Sequence, residues 1–179
     1  IPNTYLGPIL RLQRGQRVKI HLHNKLDEPT ITHWHGLHVP ESADGHPRMV
    51  IDPGETYTYE WTVLDRPGTY WYHPHPHGRT GPQVYYGLAG LILITDPQAS
   101  TEGLPAGEYD VPLVIQDRTF TEDNQFSYLG SGMQGRILGM MGKRILVNGH
   151  PEFTLPVKAG AYRLRLLNGS NARIYKLAW

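Results

Sequence analysis

"RVKIHLHN" (Arg17–Asn24) and "TYTYEWTV" (Thr56–Val63) decide the fold. In the first, Val18, Ile20 and Leu22 alternate with Arg17, Lys19, His21 and His23; in the second, Tyr57, Tyr59, Trp61 and Val63 alternate with Thr56, Thr58, Glu60 and Thr62. Successive side chains of a strand leave on opposite faces, so strict period-two alternation marks strands buried on one side only. Working outward, "DPGE" (Asp52–Glu55) and "DRPG" (Asp65–Gly68) are turn signals in which Pro presets φ and Gly supplies freedom. "GLAGLILIT" (Gly87–Thr95) is nearly all apolar and reads as a strand covered on both faces. No helical periodicity stands out before residue 97. The 20 glycines and 15 prolines in 179 residues fit many short strands and turns. The expectation is an all-β sandwich.

From Asp96 to Glu108, "DPQASTEGLPAGE" is rich in Pro, Gly and small polar residues and reads as a linker. The predicted organisation is a first domain over 1–97, a linker over 98–109 and a second domain over 110–179. In the second, "VPLVIQD", "RILVNG", "YRLRLLNG" and "ARIYKLAW" read as strands, and "GSGMQGRILGMMGK" as a long flexible loop. Because Trp179 falls inside an apparent strand, the second domain is expected to be incomplete. An unpaired edge there would invite self-association or pairing with a separate C-terminal fragment.

Composition excludes several classes. A net charge of +1 gives no reason to propose nucleic acid or an anionic membrane surface as partner. No stretch approaches the roughly 18 apolar residues of a membrane span, and no signal-peptide pattern opens the sequence. With no cysteine there is no disulfide, thiolate nucleophile or thiolate ligand.

Ten histidines remain to be explained. "THWHGL" (Thr32–Leu37) and "WYHPHPHG" (Trp71–Gly78) each hold a His-x-His pair. In extended strands His33 and His35 share one face while Trp34 takes the other, and His73 and His75 project together away from Pro74. Two such strands side by side bring four imidazoles into one small volume, and burying them without partners is costly. A metal is the natural counterpart, and imidazole suits Cu, Zn, Ni or Fe. His21 and His23 share a face with Arg17 and Lys19 and read as solvated. His38, His46 and His150 read as loop or turn residues, and His77 as a structural or supporting hydrogen-bond group. Met133, Met140 and Met141 could suit Cu(I), but read as loop and gap-filling residues.

"HWHGL", "DGHPR", "GTYWYHPHPHG", "GLAGLILI" and "RLRLLNGSNAR" together resemble the multicopper oxidase family, over essentially the whole chain and in order. The resemblance is greatest to bacterial laccases and copper-efflux oxidases. It implies successive cupredoxin-like Greek-key β-sandwich domains, a copper cofactor, a periplasmic or secreted location, and O2 with a small reducing substrate as reactants. It assigns His33 to a type 2 copper, His35 and His73 to one type 3 copper, and His75 to the other. The remaining ligands of the trinuclear cluster, and the cysteine of the type 1 copper, come in the family from a further C-terminal domain. This chain carries neither segment.

In the enzymes it resembles, single electrons from phenols, aromatic amines or metal ions are collected until O2 is reduced to water. Asp44 in "ADGHPR" aligns with an acidic residue that assists proton delivery; the alternative is an ordinary Asp-Gly turn. The chain would supply half of the trinuclear ligands and be inactive alone. Two other classes stay open. One is a non-catalytic copper-binding module; the other is a hydrolytic zinc site, for which Asp44 or Glu41 would be the base.

Overall fold

The computed structural model describes residues 4–100, 103–128 and 137–178. By internal contacts the chain divides into two compact units. One spans Gly7–Ser100; the other comprises the residues after it together with the segment up to Leu6.

The first unit is a cupredoxin-like sandwich. Its larger sheet orders β1 (Leu10–Gln13), β6 (Gly90–Thr95), β5 (Gly68–Pro74) and β3 (Thr32–His35), with β1 parallel to β6 and the other pairs antiparallel. The facing sheet pairs β2 (Arg17–His23) with β4 (Thr56–Thr62), placing Val18 opposite Trp61 and Ile20 opposite Tyr59. Alternation therefore sends one apolar row inward from each strand. Leu12, Trp34, Ile92 and Ile94 from the larger sheet meet Val18, Tyr59 and Trp61 from the smaller. Trp34 is only 3% exposed, packing edge-on to Tyr59 and tilted against Trp61, each 5.0 Å away. Such pairs add about 0.5–1.5 kcal/mol beyond their burial. The β6 strand is buried along all but its last residue, as its unbroken apolar run predicts.

Two short helices occur where the sequence showed no helical period. The one-turn α1 spans Glu41–Asp44, and α2 spans Thr80–Tyr85. Neither is long enough to display a helical repeat. In α2, Pro82 sits in the first turn, where its missing N–H costs nothing, and Gln83, Val84 and Tyr85 are buried.

In the second unit β7 (Asp110–Arg118) lies between β8 (Arg144–Val147) and β9 (Arg163–Asn168). The "ARIYKLAW" segment differs from expectation: residues 172–178 form no strand, and Ile174 is 92% exposed. Among the described residues it joins no ladder, and the Arg173 guanidinium reaches back to Asp117. Trp179 lies outside the described residues, as do Met133 and the rest of 129–136. Of the expected flexible loop, Gly142 is held: its N–H donates to buried Asp117 at 2.7 Å.

Candidate metal centre

The β3 and β5 strands pair so that His33 faces His73, Trp34 faces Tyr72 and His35 faces Trp71. Alternation turns Trp34 into the core and both β3 histidines to the other face. The β5 strand ends at Pro74, but the His75 N–H still donates to Ile31 O at 2.9 Å and prolongs the pairing. Ring centroids stand 5.4 Å apart for His33 and His73, 5.4 Å for His35 and His73, and 5.0 Å for His33 and His75. One nitrogen from each of His33, His35 and His73 falls within 4.8 Å of the others.

Two anchors hold these strands. The Thr32 N–H donates to the Tyr59 hydroxyl at 2.9 Å, tying β3 to the facing sheet, and burial pushes that phenol well above its usual pKa. On α2, buried Gln83 accepts from the Thr30 hydroxyl at 2.8 Å and donates to Glu28 Oε1 and Pro29 O. The segment entering β3 is thereby fixed.

Hydrogen bonds to carbonyls, which only accept, define the ring tautomers. His73 Nδ1 lies 2.8 Å from Pro74 O and His33 Nδ1 lies 2.8 Å from Asp44 O, so both Nδ1 atoms carry hydrogen. His75 Nδ1 is 3.3 Å from Gly45 O and is held likewise. Each ring then keeps Nε2 as its lone-pair nitrogen. His35 is the exception: its Nδ1 faces His73 Nε2 at 3.2 Å. Two nitrogens each about 2 Å from a shared ion stand about 3 Å apart, so this pair has the spacing of two donors on one metal. The donor set fits copper.

The mutually crowded rings, buried His73 most of all, resist protonation. Burial, opposed only by the Pro74 carbonyl, pushes His73 down to about 4, with the neighbouring histidines adding to the effect. His35 is lowered by burial and then by His33 and His75. An unfolded histidine protonates near 6.5, so between pH 6.5 and 4 the unfolded chain takes up a proton that native His73 refuses. Stability present above pH 6.5 is therefore lost as pH falls to about 4. Each pH unit is about 1.4 kcal/mol; allowing for solvent screening leaves about 2 kcal/mol. Urea unfolding of the metal-free chain from pH 7.5 to 4.5 should show this slope, and His73→Phe should flatten it. An unchanged slope in that variant would refute the assignment.

The other candidates are placed as follows. Asp44 Oδ1 lies 3.4 Å from His33 Nδ1, beside the cluster. Glu41 pairs with Arg48 on the exposed surface. His21 and His23 are exposed and bond cross-strand Thr58 and Thr56. His38 binds Asp65 Oδ1 at 2.7 Å, and His46 accepts from the Arg48 N–H. His77 is exposed, and His150 closes a turn on Val147. Met140 is buried as gap-filling requires, whereas Met141 is 46% exposed. Sequence reading missed Gly45 and Trp71. The Trp71 ring stacks 4.3 Å from His73 and 5.1 Å from His35, closing one side of the cluster. The "DG" pair was the only signal for Gly45, and it pointed to a turn without saying what the turn touches.

A cupredoxin-like sandwich presenting converging imidazoles from two His-x-His pairs is the arrangement that the multicopper oxidase resemblance implies. A family model described as multicopper oxidase matches residues 1–99. The multicopper oxidase mco of Staphylococcus aureus is 45% identical over 94% of this chain and 37% of its own length. The crystal structure of McoA multicopper oxidase from Aquifex aeolicus superposes with a TM-score of 0.85 at 46% identity, over 93% of this chain and 37% of that one. The cell division protein FtsP of Sodalis glossinidius is 37% identical over 99% of this chain and 37% of its own length. The chain belongs to the multicopper oxidase family. It spans a little over a third of the length of these relatives.

Proposed function

We propose that this chain is the N-terminal part of a laccase-like multicopper oxidase. The complete enzyme couples one-electron oxidation of phenols, aromatic amines or metal ions to reduction of O2, with four electrons and four protons yielding two waters. The observation that carries this reading is the convergence of His33, His35 and His73, with His75 against them. Copper, when bound, supplies the one-electron redox couple. The protein's own work is positional: two paired strands hold the imidazoles, and the neutral state of His35 and His73 keeps lone pairs available. Trp71 packs against the His73 and His35 rings and helps fix their orientation. Asp44, whose carboxylate lies beside His33, assists proton delivery in this reading. In this reading the second unit is an incomplete cupredoxin-like domain joined near residues 98–109. The rest of the cluster and the type 1 site come from polypeptide C-terminal to the chain, and the protein works in the periplasm or outside the cell. Among the described residues, no helix is long and apolar enough to cross a membrane.

The second reading is a copper-binding module without turnover, which the converging imidazoles of this chain would support by themselves. Oxygen uptake separates the two. The purified chain, given a phenol or Cu(I) with free-copper background subtracted, should consume no O2; supplying the C-terminal polypeptide in cis or as a fragment should start it. In that completed protein Asp44→Asn should slow uptake with copper content unchanged. Turnover by the isolated chain would reject the half-cluster, copper loss in Asp44→Asn would reject the proton role, and no uptake in the completed protein would favour the second reading.

A further inference from the structure

His33 lies on β3 and His75 just beyond the end of β5, yet consecutive backbone carbonyls hold them. His33 Nδ1–H donates to Asp44 O and His75 Nδ1–H to Gly45 O. The α1 helix ends there, and the last carbonyls of a helix have no partner within it. Gly45 takes the left-handed conformation, φ 75° and ψ 40°, which turns its carbonyl out of the helix. It also lies directly on β3: a methyl group at its Cα would overlap the Thr32 carbonyl and come 3.0 Å from His33 Cα. Both the backbone angle and the close approach require glycine.

We propose that the Asp44–Gly45 turn is a backbone clamp that sets the tautomer of His33 and His75 and so commits Nε2 of each to the metal, with Gly45 as the positioning residue. The inference rests on the copper-site reading above. Asp44 contributes through its main chain: its carbonyl is 2.8 Å from His33 Nδ1, nearer than its carboxylate at 3.4 Å. The other two histidines are held independently, His73 by Pro74 O and His35 by His73. They form an internal control, because a disturbed clamp should alter two rings and spare two.

The test is long-range 1H–15N correlation on the chain labelled at histidine nitrogens, metal-free and then loaded with Cu(I). Metal-free, His33, His73 and His75 should all be Nδ1–H tautomers. On loading, the coordination shift should fall on Nε2 of those three and on Nδ1 of His35. Gly45→Ala should give mixed tautomers at His33 and His75 with His73 unchanged, and chelator competition should show Cu(I) affinity lower by about 10- to 100-fold, the usual effect of losing outer-sphere support. Asp44→Asn, which keeps both carbonyls, should retain tautomers and affinity. The clamp is overturned if either ring is Nε2–H in the metal-free wild type, if either binds Cu(I) through Nδ1, or if Gly45→Ala keeps both tautomers and affinity. Should Gly45→Ala fail to fold, the wild-type spectra decide alone. Expected tautomers without Cu(I) uptake would instead sink the copper reading, and the clamp's metal role with it.

Discussion

His73→Ala should bind Cu(I) more than 100-fold more weakly than the wild type, beyond the range reached by losing outer-sphere support. The His73 ring is central: it lies near the other three, and its Nε2 faces His35 Nδ1 at 3.2 Å. Because His73 is 6% exposed, alanine also leaves a cavity, so copper loss alone could reflect damage to the fold. His35 removes that ambiguity. It is exposed, so His35→Ala should unfold like the wild type yet lose copper comparably. If the two rings share one ion, the double variant should lose little more than either single one, since the second substitution removes a ligand from an ion already gone. His21→Ala and His23→Ala should leave uptake unchanged. Equal losses from the two groups, or full additivity of His35→Ala and His73→Ala, would overturn the shared site.

Asp117→Ala should lower the stability of the second unit by about 3 kcal/mol, the lower end for breaking a buried ion pair. Asp117 is 1% exposed, and its Oδ2 accepts from Gly142 N and Arg173 Nε, both at 2.7 Å. Arg173 in turn donates to Gly142 O at 2.7 Å. Removing the carboxylate strands a buried N–H and a partly buried guanidinium together; the third of the Arg173 side chain that remains exposed holds the cost down. Hydrogen exchange at the amides of β7 should report the loss directly. Asp117→Asn keeps an acceptor for Gly142 and should fall between. A change below about 1 kcal/mol would show that the pair is only a surface-like contact.

Much of this was legible in local periodicity. The rows Val18, Ile20, Leu22 and Tyr57, Tyr59, Trp61 announce β2 and β4 because strand geometry leaves alternate side chains no other choice. The same rule places His33 with His35 on the face opposite Trp34. The short α1 and α2 were illegible because one or two turns cannot show a period. "ARIYKLAW" misled because alternation marks a face to bury but cannot supply the neighbouring strand.

Alternation over a few residues is enough to announce the strands and the shared face of His33 and His35, because it follows from backbone geometry alone. That His33 lies opposite His73, that carbonyls 11 and 30 residues away hold His33 and His75, and that Asp117 meets Arg173 across 56 residues emerges only in the folded chain. Those are pairings between segments distant in the chain. They are set by which apolar faces fit together in the core, and no local pattern encodes a partner that arrives only when the sheets close.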